Sequence, residues 1–145
     1  MNATNNFFVI VDSSVAVKWI TADNEEHLEE ADAILKNASQ KKFTIAMPEL
    51  AKYEIGNALL YKKLALPLLQ TLVDSFYHLP IQFIAEDIHT AQQTAELAHD
   101  YKITYYDASF LSLALTLKGP LITDNPKHQK KKVSGLTAIS LKDYR

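Results

Sequence analysis

Apolar residues occur along this chain in short continuous runs, separated by longer stretches in which they recur at helical spacing. Residues 7–11 (FFVIV) form an uninterrupted run of aromatic and β-branched side chains. Such a run is typical of a strand that is buried on both faces inside a parallel sheet. Similar runs predict four more strands, at residues 43–47, 80–84, 121–123 and 137–141.

Between these runs, apolar residues recur every three to four positions, which is the pattern of helices with one buried face. The predicted helices cover residues 15–20, 25–42, 49–61, 64–78, 85–101 and 107–117. Strands that alternate with helices favour an α/β fold in which helices cover both faces of a parallel sheet. No internal repeat or linker interrupts the pattern, so we expect one domain over residues 1–145.

Composition narrows the classes of function. The chain contains no cysteine, which excludes thiolate metal sites and thiol nucleophiles and suits a reducing cytosol, so we expect a cytoplasmic protein. The apolar run at residues 7–11 is too short to span a bilayer, and no membrane association is expected. A net charge of −2 argues against an RNA-binding module held by bulk electrostatics. It is compatible with a nuclease whose positive charge comes from a bound metal and a local lysine cluster.

Four acidic residues are placed to meet at one edge of the predicted sheet. Asp12 directly follows the first strand, and Asp124 directly follows the fourth. Asp107 opens the last predicted helix, and Glu54 lies in the helix after the second strand. The carboxyl ends of parallel strands share one edge, which is where open α/β sheets bind ligands. We therefore expect these acids to share a pocket.

Clustered carboxylates imply a cation, because like charges in close proximity repel each other strongly when they are partly removed from water. Mg²⁺ and Mn²⁺ take oxygen ligands, commonly one or two protein carboxylates together with water and substrate phosphate. A cation held in this way activates water for attack on a phosphodiester. Simpler interpretations remain open: Asp12 and Asp107 as helix N-caps, Glu54 as a solvated helix residue, and Asp124 with Asn125 as a turn.

The order and spacing of these residues resemble the PIN-domain ribonucleases of the VapC toxin type, over nearly the whole chain. The segment VIVDSSV, with Asp12 and the small hydroxyl residue Ser13, resembles the first motif of that family. The stretch around Glu54 resembles the second motif, because a proline precedes Glu54 by six positions and Asn57 follows it by three. YDASFLSLA, which contains Asp107, is close to the third motif, and LITDN resembles the fourth.

The resemblance implies a three-layer α/β/α sandwich with a four- or five-stranded parallel sheet and an acidic pocket that binds Mg²⁺ or Mn²⁺. It implies a metal-dependent endoribonuclease that hydrolyses RNA with metal-activated water. Many small members are toxins paired with a small antitoxin protein, and they usually form homodimers. Carried over by motif, Asp12 and Asp107 are the metal ligands, Glu54 completes the catalytic acids, and Thr123 is the hydroxyl residue beside them.

The chain departs from the family pattern in the fourth motif. The family more often has an acid two residues after the threonine, where this chain has Asn125, whereas its own acid, Asp124, follows Thr123 directly. Either Asp124 points into the pocket as the fourth catalytic acid, or Asn125 occupies that position as a neutral oxygen ligand. Of the two, we favour Asp124.

A lysine-rich segment follows the fourth motif and contains Lys127, Lys130, Lys131 and Lys132. Such a run is most often a solvated loop. Its position beside Asp124 gives it a second interpretation, in which the four lysines contact RNA phosphates next to the scissile bond.

Two other classes of function remain open at this point. One is a catalytically weakened PIN-like domain that binds RNA or a protein partner, for which the neutral Asn125 is the best support. The other is a receiver-like protein that uses Asp12 as a phosphate acceptor, an interpretation that leaves Glu54 and Asp107 unexplained.

Overall fold

The computed structural model describes residues 7–21, 26–125 and 132–145. Its strands are β1 (Phe8–Val11), β2 (Thr44–Pro48), β3 (Ile81–Ile84), β4 (Leu121–Thr123) and β5 (Ala138–Ser140). Its α-helices are α1 (Ser13–Ile20), α2 (Leu28–Ser39), α3 (Ala51–Tyr61), α4 (Leu66–Tyr77), α5 (Ile88–Tyr101) and α6 (Tyr105–Leu117). A short 3₁₀ helix, Leu141–Asp143, follows β5.

The five strands form one sheet in the order β3-β2-β1-β4-β5, and every neighbouring pair is parallel. This arrangement confirms the predicted α/β/α sandwich and its five-stranded alternative. The central strand, β1, is also the first in the chain. It pairs with β2 on one side and with β4 on the other, so β2 and β3 lie on one side of β1, and β4 and β5 lie on the other.

Side chains of β1 alternate between two apolar cores, as the period of a strand requires. Ile10 faces the core that contains residues of α3, α4, α5 and α6. Val9 and Val11 face the opposite core, formed with α2 and the 3₁₀ helix. Both faces of the central strand are therefore buried, which accounts for the uninterrupted apolar run at residues 7–11.

All six helices begin two or three residues away from the predicted starts, and in two of them side-chain caps fix the first turn. Helix α5 begins at Ile88 rather than at residue 85, since the Asp87 carboxylate accepts from the Thr90 backbone N–H at 2.8 Å. The Thr90 hydroxyl in turn accepts from the Asp87 backbone N–H at 2.9 Å, completing a reciprocal cap. Helix α6 begins at Tyr105 rather than at Asp107, because Thr104 is its N-cap.

The order of the strands creates a crevice at the centre of the sheet. The chain leaves β1 towards β2 and β3, and it later returns to the other side of β1 as β4. In open α/β sheets, ligands bind outside the carboxyl ends of the strands at such a reversal of strand order. The residues that directly follow β1 and end β4 are Asp12 and Thr123.

The close approach of Gly119 to β1 gives a test of this packing. A Cβ atom at Gly119 would lie 2.2 Å from the backbone oxygen of Phe8, which cannot move without disturbing β1. We expect Gly119→Ala to lower the free energy of unfolding by about 1–3 kcal/mol, the usual cost of overpacking a core. Urea denaturation followed by circular dichroism measures this.

Gly56 provides the matched control, because a Cβ atom there has no neighbour within 4 Å and the residue lies inside α3. Gly56→Ala should stabilise the protein by about 0.5–1 kcal/mol through the higher helix propensity of alanine. Equal effects of the two substitutions would contradict the described contact between Gly119 and β1.

Candidate functional site

Asp12 lies at the crevice between β1 and β4, and its carboxylate is held there by Thr123. The Thr123 hydroxyl donates a hydrogen bond to Asp12 Oδ2 at 2.8 Å. Asp12 is only 6% exposed, although it carries an ionisable group. It occupies the N-cap position of α1, but its side chain makes no capping hydrogen bond. The carboxylate is therefore directed at the end of β4 and does not cap the helix.

The Thr123 hydroxyl is itself fixed by the turn that follows β4. It accepts a hydrogen bond from the backbone N–H of Asn125 at 2.9 Å. Asn125 thus supports the site through its backbone, whatever its side chain does. Because the hydroxyl accepts one bond and donates another, its proton points to Asp12, and Thr123 lies beside the first predicted acid.

Glu54 is connected to the same edge through Ser13. The Ser13 hydroxyl donates to Glu54 Oε1 at 3.1 Å, joining the residue after Asp12 to the first turn of α3. Glu54 is half-buried, and α1 packs against α3. The alternative in which Glu54 is only a solvated helix residue is therefore wrong. Two predicted acids are each anchored by a hydroxyl group near the carboxyl end of β1.

Asp107 lies in the first turn of α6, where it is half-buried. The alternative in which it is the N-cap of this helix is wrong, because the Thr104 hydroxyl performs that role by accepting from the Asp107 backbone N–H at 3.0 Å. A carboxylate in the first turn interacts favourably with the helix dipole. Helix α6 packs against β1 and β4, the two strands at whose ends Asp12 and Thr123 lie.

Asp124 makes an ion pair that the sequence analysis missed. Its Oδ2 lies 3.2 Å from the Nζ atom of Lys18, whose side chain is 4% exposed. Lys18 Nζ also donates to the backbone oxygen of Glu26 at 2.8 Å. The backbone N–H of Asp124 donates to the Ser14 hydroxyl at 3.2 Å. A single lysine among the apolar residues of α1 was the signal in the sequence, but its partner could not be read from it.

The remaining predicted residues lie further from these contacts or outside the described chain. Asn57 is exposed on α3, one turn after Glu54, and Lys132 is exposed before β5. Lys127, Lys130 and Lys131 fall outside the described residues. The predicted contact of this lysine segment with RNA therefore stays a prediction.

The oxygen donors at this edge suit a hard divalent cation. Within residues 7–21, 26–125 and 132–145, no three His, Asp or Glu side chains form a group that could hold a metal ion by themselves. Mg²⁺ does not need such a group, because one or two carboxylates with water and substrate phosphate are its usual ligands. The buried carboxylate of Asp12 and the half-buried carboxylate of Asp107 fit that requirement in chemistry.

Comparison with known proteins adds information on the fold and the family. A sequence model of the PIN domain matches residues 9–133. No curated protein sequence matches the chain. In the part of the chain that the structure describes, no helix has the length and apolar character needed to cross a membrane.

Several solved structures share the fold at low sequence identity. VapBC2 from Rickettsia felis, bound to a DNA fragment from its promoter, is 17% identical with a TM-score of 0.68, and the match covers 92% of this chain and 98% of that chain. DNA-bound VapBC from Salmonella typhimurium is 18% identical with a TM-score of 0.68, covering 93% and 98%. VapC20 from Mycobacterium tuberculosis, a toxin that cleaves the Sarcin-Ricin loop, is 14% identical with a TM-score of 0.53, covering 73% and 80%.

At such identities the structural matches establish a common fold. The match to the family model is independent of them and extends from β1 to the residues beyond β4. It includes Asp12, Glu54, Asp107 and Thr123. On this evidence the chain belongs to the PIN domain family.

Proposed function

We propose that this protein is a Mg²⁺- or Mn²⁺-dependent endoribonuclease that acts in the cytoplasm as the toxin of a toxin–antitoxin pair. The observation that carries the proposal is the hydrogen bond from Thr123 to the buried carboxylate of Asp12, at the reversal of strand order in the sheet. Membership of the PIN domain family supports a nuclease. The shared fold with VapC20, which cleaves the Sarcin-Ricin loop, supports RNA as the substrate.

Each acidic residue has a proposed part in hydrolysis. Asp12 and Asp107 would hold the cation, with Thr123 fixing the direction of the Asp12 carboxylate. When bound, the cation supplies positive charge that makes water a better nucleophile and offsets charge on the phosphate. Glu54, oriented by Ser13, would accept a proton from the attacking water as the new P–O bond forms. The P–O bond to the leaving ribose oxygen breaks in the same displacement, and that oxygen takes up a proton from solvent.

A protein partner is the second part of the proposal. The Rickettsia and Salmonella structures contain VapBC complexes, which supports a small antitoxin as the partner of this chain. Exposed apolar side chains at the junction of α3 and α4 support a protein interface there, for the antitoxin or for a homodimer. These side chains are Leu60, Tyr61, Leu66 and Leu68.

One alternative keeps specific support. A catalytically weakened PIN domain is favoured by the ion pair that Asp124 makes with Lys18, since it engages the fourth acid in a structural contact. The receiver-like alternative has lost its support. Membership of the PIN domain family does not predict a phosphorylated aspartate, and the contact of Glu54 with Ser13 explains an acid that this alternative left aside.

The metal assignment predicts stabilisation by mass action. Mg²⁺ or Mn²⁺ at 100 times its Kd should stabilise the wild type by about 2.7 kcal/mol, which differential scanning calorimetry detects as a rise in Tm. Asp12→Asn combined with Asp107→Asn should abolish that rise. The control is Asp32→Asn with Asp143→Asn, two exposed acids whose replacement changes the net charge equally. A normal metal response in the first double variant would show that the site is misplaced.

The role of Glu54 predicts a loss of activity without a loss of folding. Glu54→Gln keeps an oxygen that can accept from Ser13 and removes one negative charge from the acidic edge. We expect unchanged or higher metal-free stability and cleavage of single-stranded RNA slowed at least about tenfold, or roughly 1.4 kcal/mol of transition-state stabilisation. Glu96→Gln, on the exposed face of α5, is the control. An unstable variant that cleaves normally when folded would instead make Glu54 structural.

The ion pair between Lys18 and Asp124 predicts coupled effects on stability. Asp124→Asn should lower the free energy of unfolding of the wild type. The loss should exceed about 1 kcal/mol, the value of an exposed ion pair, and stay below about 3–5 kcal/mol, the cost of breaking a fully buried one. The same substitution should cost much less in a Lys18→Met background, as a double-mutant cycle in urea would measure.

The same variants test Asp124 as the fourth catalytic acid, which stays a prediction. If Asp124 serves the metal site, Lys18→Met with Asp124→Asn should bind Mn²⁺ more weakly than Lys18→Met alone. Equal Mn²⁺ affinity and equal RNA cleavage in the two variants would remove Asp124 from the catalytic set. Asn125→Asp should then tighten Mn²⁺ binding.

A further inference from the structure

A cavity of about 300 Å³ lies beside the proposed catalytic edge. It is bounded by the start of α3, the residues after β3, and the first turns of α5 and α6. Its volume is at the lower end of the about 300–1,000 Å³ that is usual for small-molecule sites. The site described above uses none of the residues that line it.

Two tyrosines connect this cavity with the proposed catalytic acids. Tyr53 immediately precedes Glu54 on α3, and Tyr106 immediately precedes Asp107 on α6. Both side chains are largely exposed, at 77% and 61% of their surface. Exposed aromatic side chains in nucleases offer faces on which unpaired bases stack. Through these two tyrosines, the lining of the cavity is one residue away in the sequence from each of Glu54 and Asp107.

Glu86 supplies an oriented hydrogen-bond acceptor at the same cavity. The Tyr105 hydroxyl donates to Glu86 Oε1 at 2.5 Å. That hydrogen bond, with burial and the charge of Glu86 adding to it, raises the pKa of Tyr105 to about 12. The phenol therefore remains a donor at neutral pH and holds the carboxylate in one orientation. Both residues line the cavity.

The charge of the cavity favours a base over a phosphate. Two carboxylates, Glu49 and Glu86, line it, and negative charge repels the RNA backbone. Leu50 and Ile84 contribute apolar walls. Glu49 Oε1 lies 2.7 Å from Lys52 Nζ, so its charge is paired. The hydrogen bond described for Glu86 comes instead from the neutral phenol of Tyr105. The cavity thus combines aromatic and apolar contacts with a charged acceptor, which matches the edge of a base that carries N–H groups.

We propose that this cavity binds a guanine base of the RNA substrate, next to the phosphate that is cleaved, and that Glu86 reads its Watson–Crick edge. The proposal rests on the nuclease function proposed above. Guanine presents an imino N–H and an exocyclic amino group side by side, which a carboxylate accepts together. Uracil presents one N–H between two carbonyl oxygens, and these oxygens would face the charge of Glu86. The cavity therefore discriminates most strongly against uracil.

Binding of free nucleotides tests the cavity separately from cleavage. The full chain is titrated with 5′-GMP, and in parallel with 5′-UMP, in the presence of EDTA, and tyrosine fluorescence reports occupancy. We expect GMP to bind at least about tenfold more tightly than UMP. Tyr106→Ala should weaken GMP binding about fivefold or more by removing a stacking face. Glu86→Gln should reduce the preference for GMP over UMP by at least about tenfold.

Matched controls lie outside the cavity. Asp32→Asn removes an exposed carboxylate of α2, and Glu96→Gln removes an exposed carboxylate of α5. Neither should change GMP affinity. If the control variants weaken binding as much as the cavity variants do, or if GMP and UMP bind equally, the proposal is overturned.

Mapping of cleavage ends completes the test. Wild-type protein with Mg²⁺ should cut a random single-stranded RNA pool with guanine enriched at one fixed position relative to the cut, and Glu86→Gln should lose that enrichment while cleavage continues. If wild type and variant cleave with the same pattern, the base pocket is rejected and the nuclease function is retained.

If GMP binds but no RNA is cleaved, the base pocket is retained and the nuclease function is rejected. Protection of Tyr53 and Tyr106 by a second copy or a protein partner, with GMP unable to compete, would replace the base by a protein occupant.

Discussion

The hydrogen bond between Thr123 and Asp12 is the contact on which the site depends, because it joins the two strands at the centre of the sheet. The residues are 111 positions apart in the chain. They meet because Ile10 pairs with Leu121 and Val11 with Ile122 in the parallel register of β1 and β4. A shift of this register by one residue would exchange the two faces of β4 and turn the hydroxyl away from the carboxylate. Apolar packing on both faces of β1 therefore determines where the first acid lies.

Hydrophobic spacing in the sequence predicted the strands and helices and their order, but it did not predict the residues at which the helices begin. Runs that bury both faces of a strand or one face of a helix are local in the sequence, so the order of elements and the parallel sheet could be predicted from it. The starts of α5 and α6 depend on side chains that accept backbone N–H groups. Thr104 has this role in α6, and Asp87 with Thr90 has it in α5, whereas Asp12 and Ser140, also at N-cap positions in the described part of the chain, make no capping hydrogen bond with their side chains.

In the candidate site, the sequence predicted which acids lie near one another, but it did not predict the contacts that orient them. Asp12 and Asp124 were predicted to lie at one edge because parallel strands end there together, and the predicted helices placed Glu54 and Asp107 near the same edge. The contacts that direct each carboxylate are between distant residues, such as Ser13 with Glu54. The cavity beside the site could not be predicted either, because its walls come from five elements whose packing brings Glu86 to Tyr105.

The partners of the acids separate them into two kinds. Asp12 Oδ2 and Glu54 Oε1 accept hydrogen bonds from the hydroxyl groups of Thr123 and Ser13, which fix the direction of each carboxylate. Asp124 lies against the ammonium group of Lys18, and its backbone N–H donates to the Ser14 hydroxyl. A carboxylate whose direction is already fixed loses less conformational freedom when a cation binds. The hydroxyl group of Thr123, which the parallel register of β1 and β4 brings to Asp12, therefore favours Asp12 as a ligand.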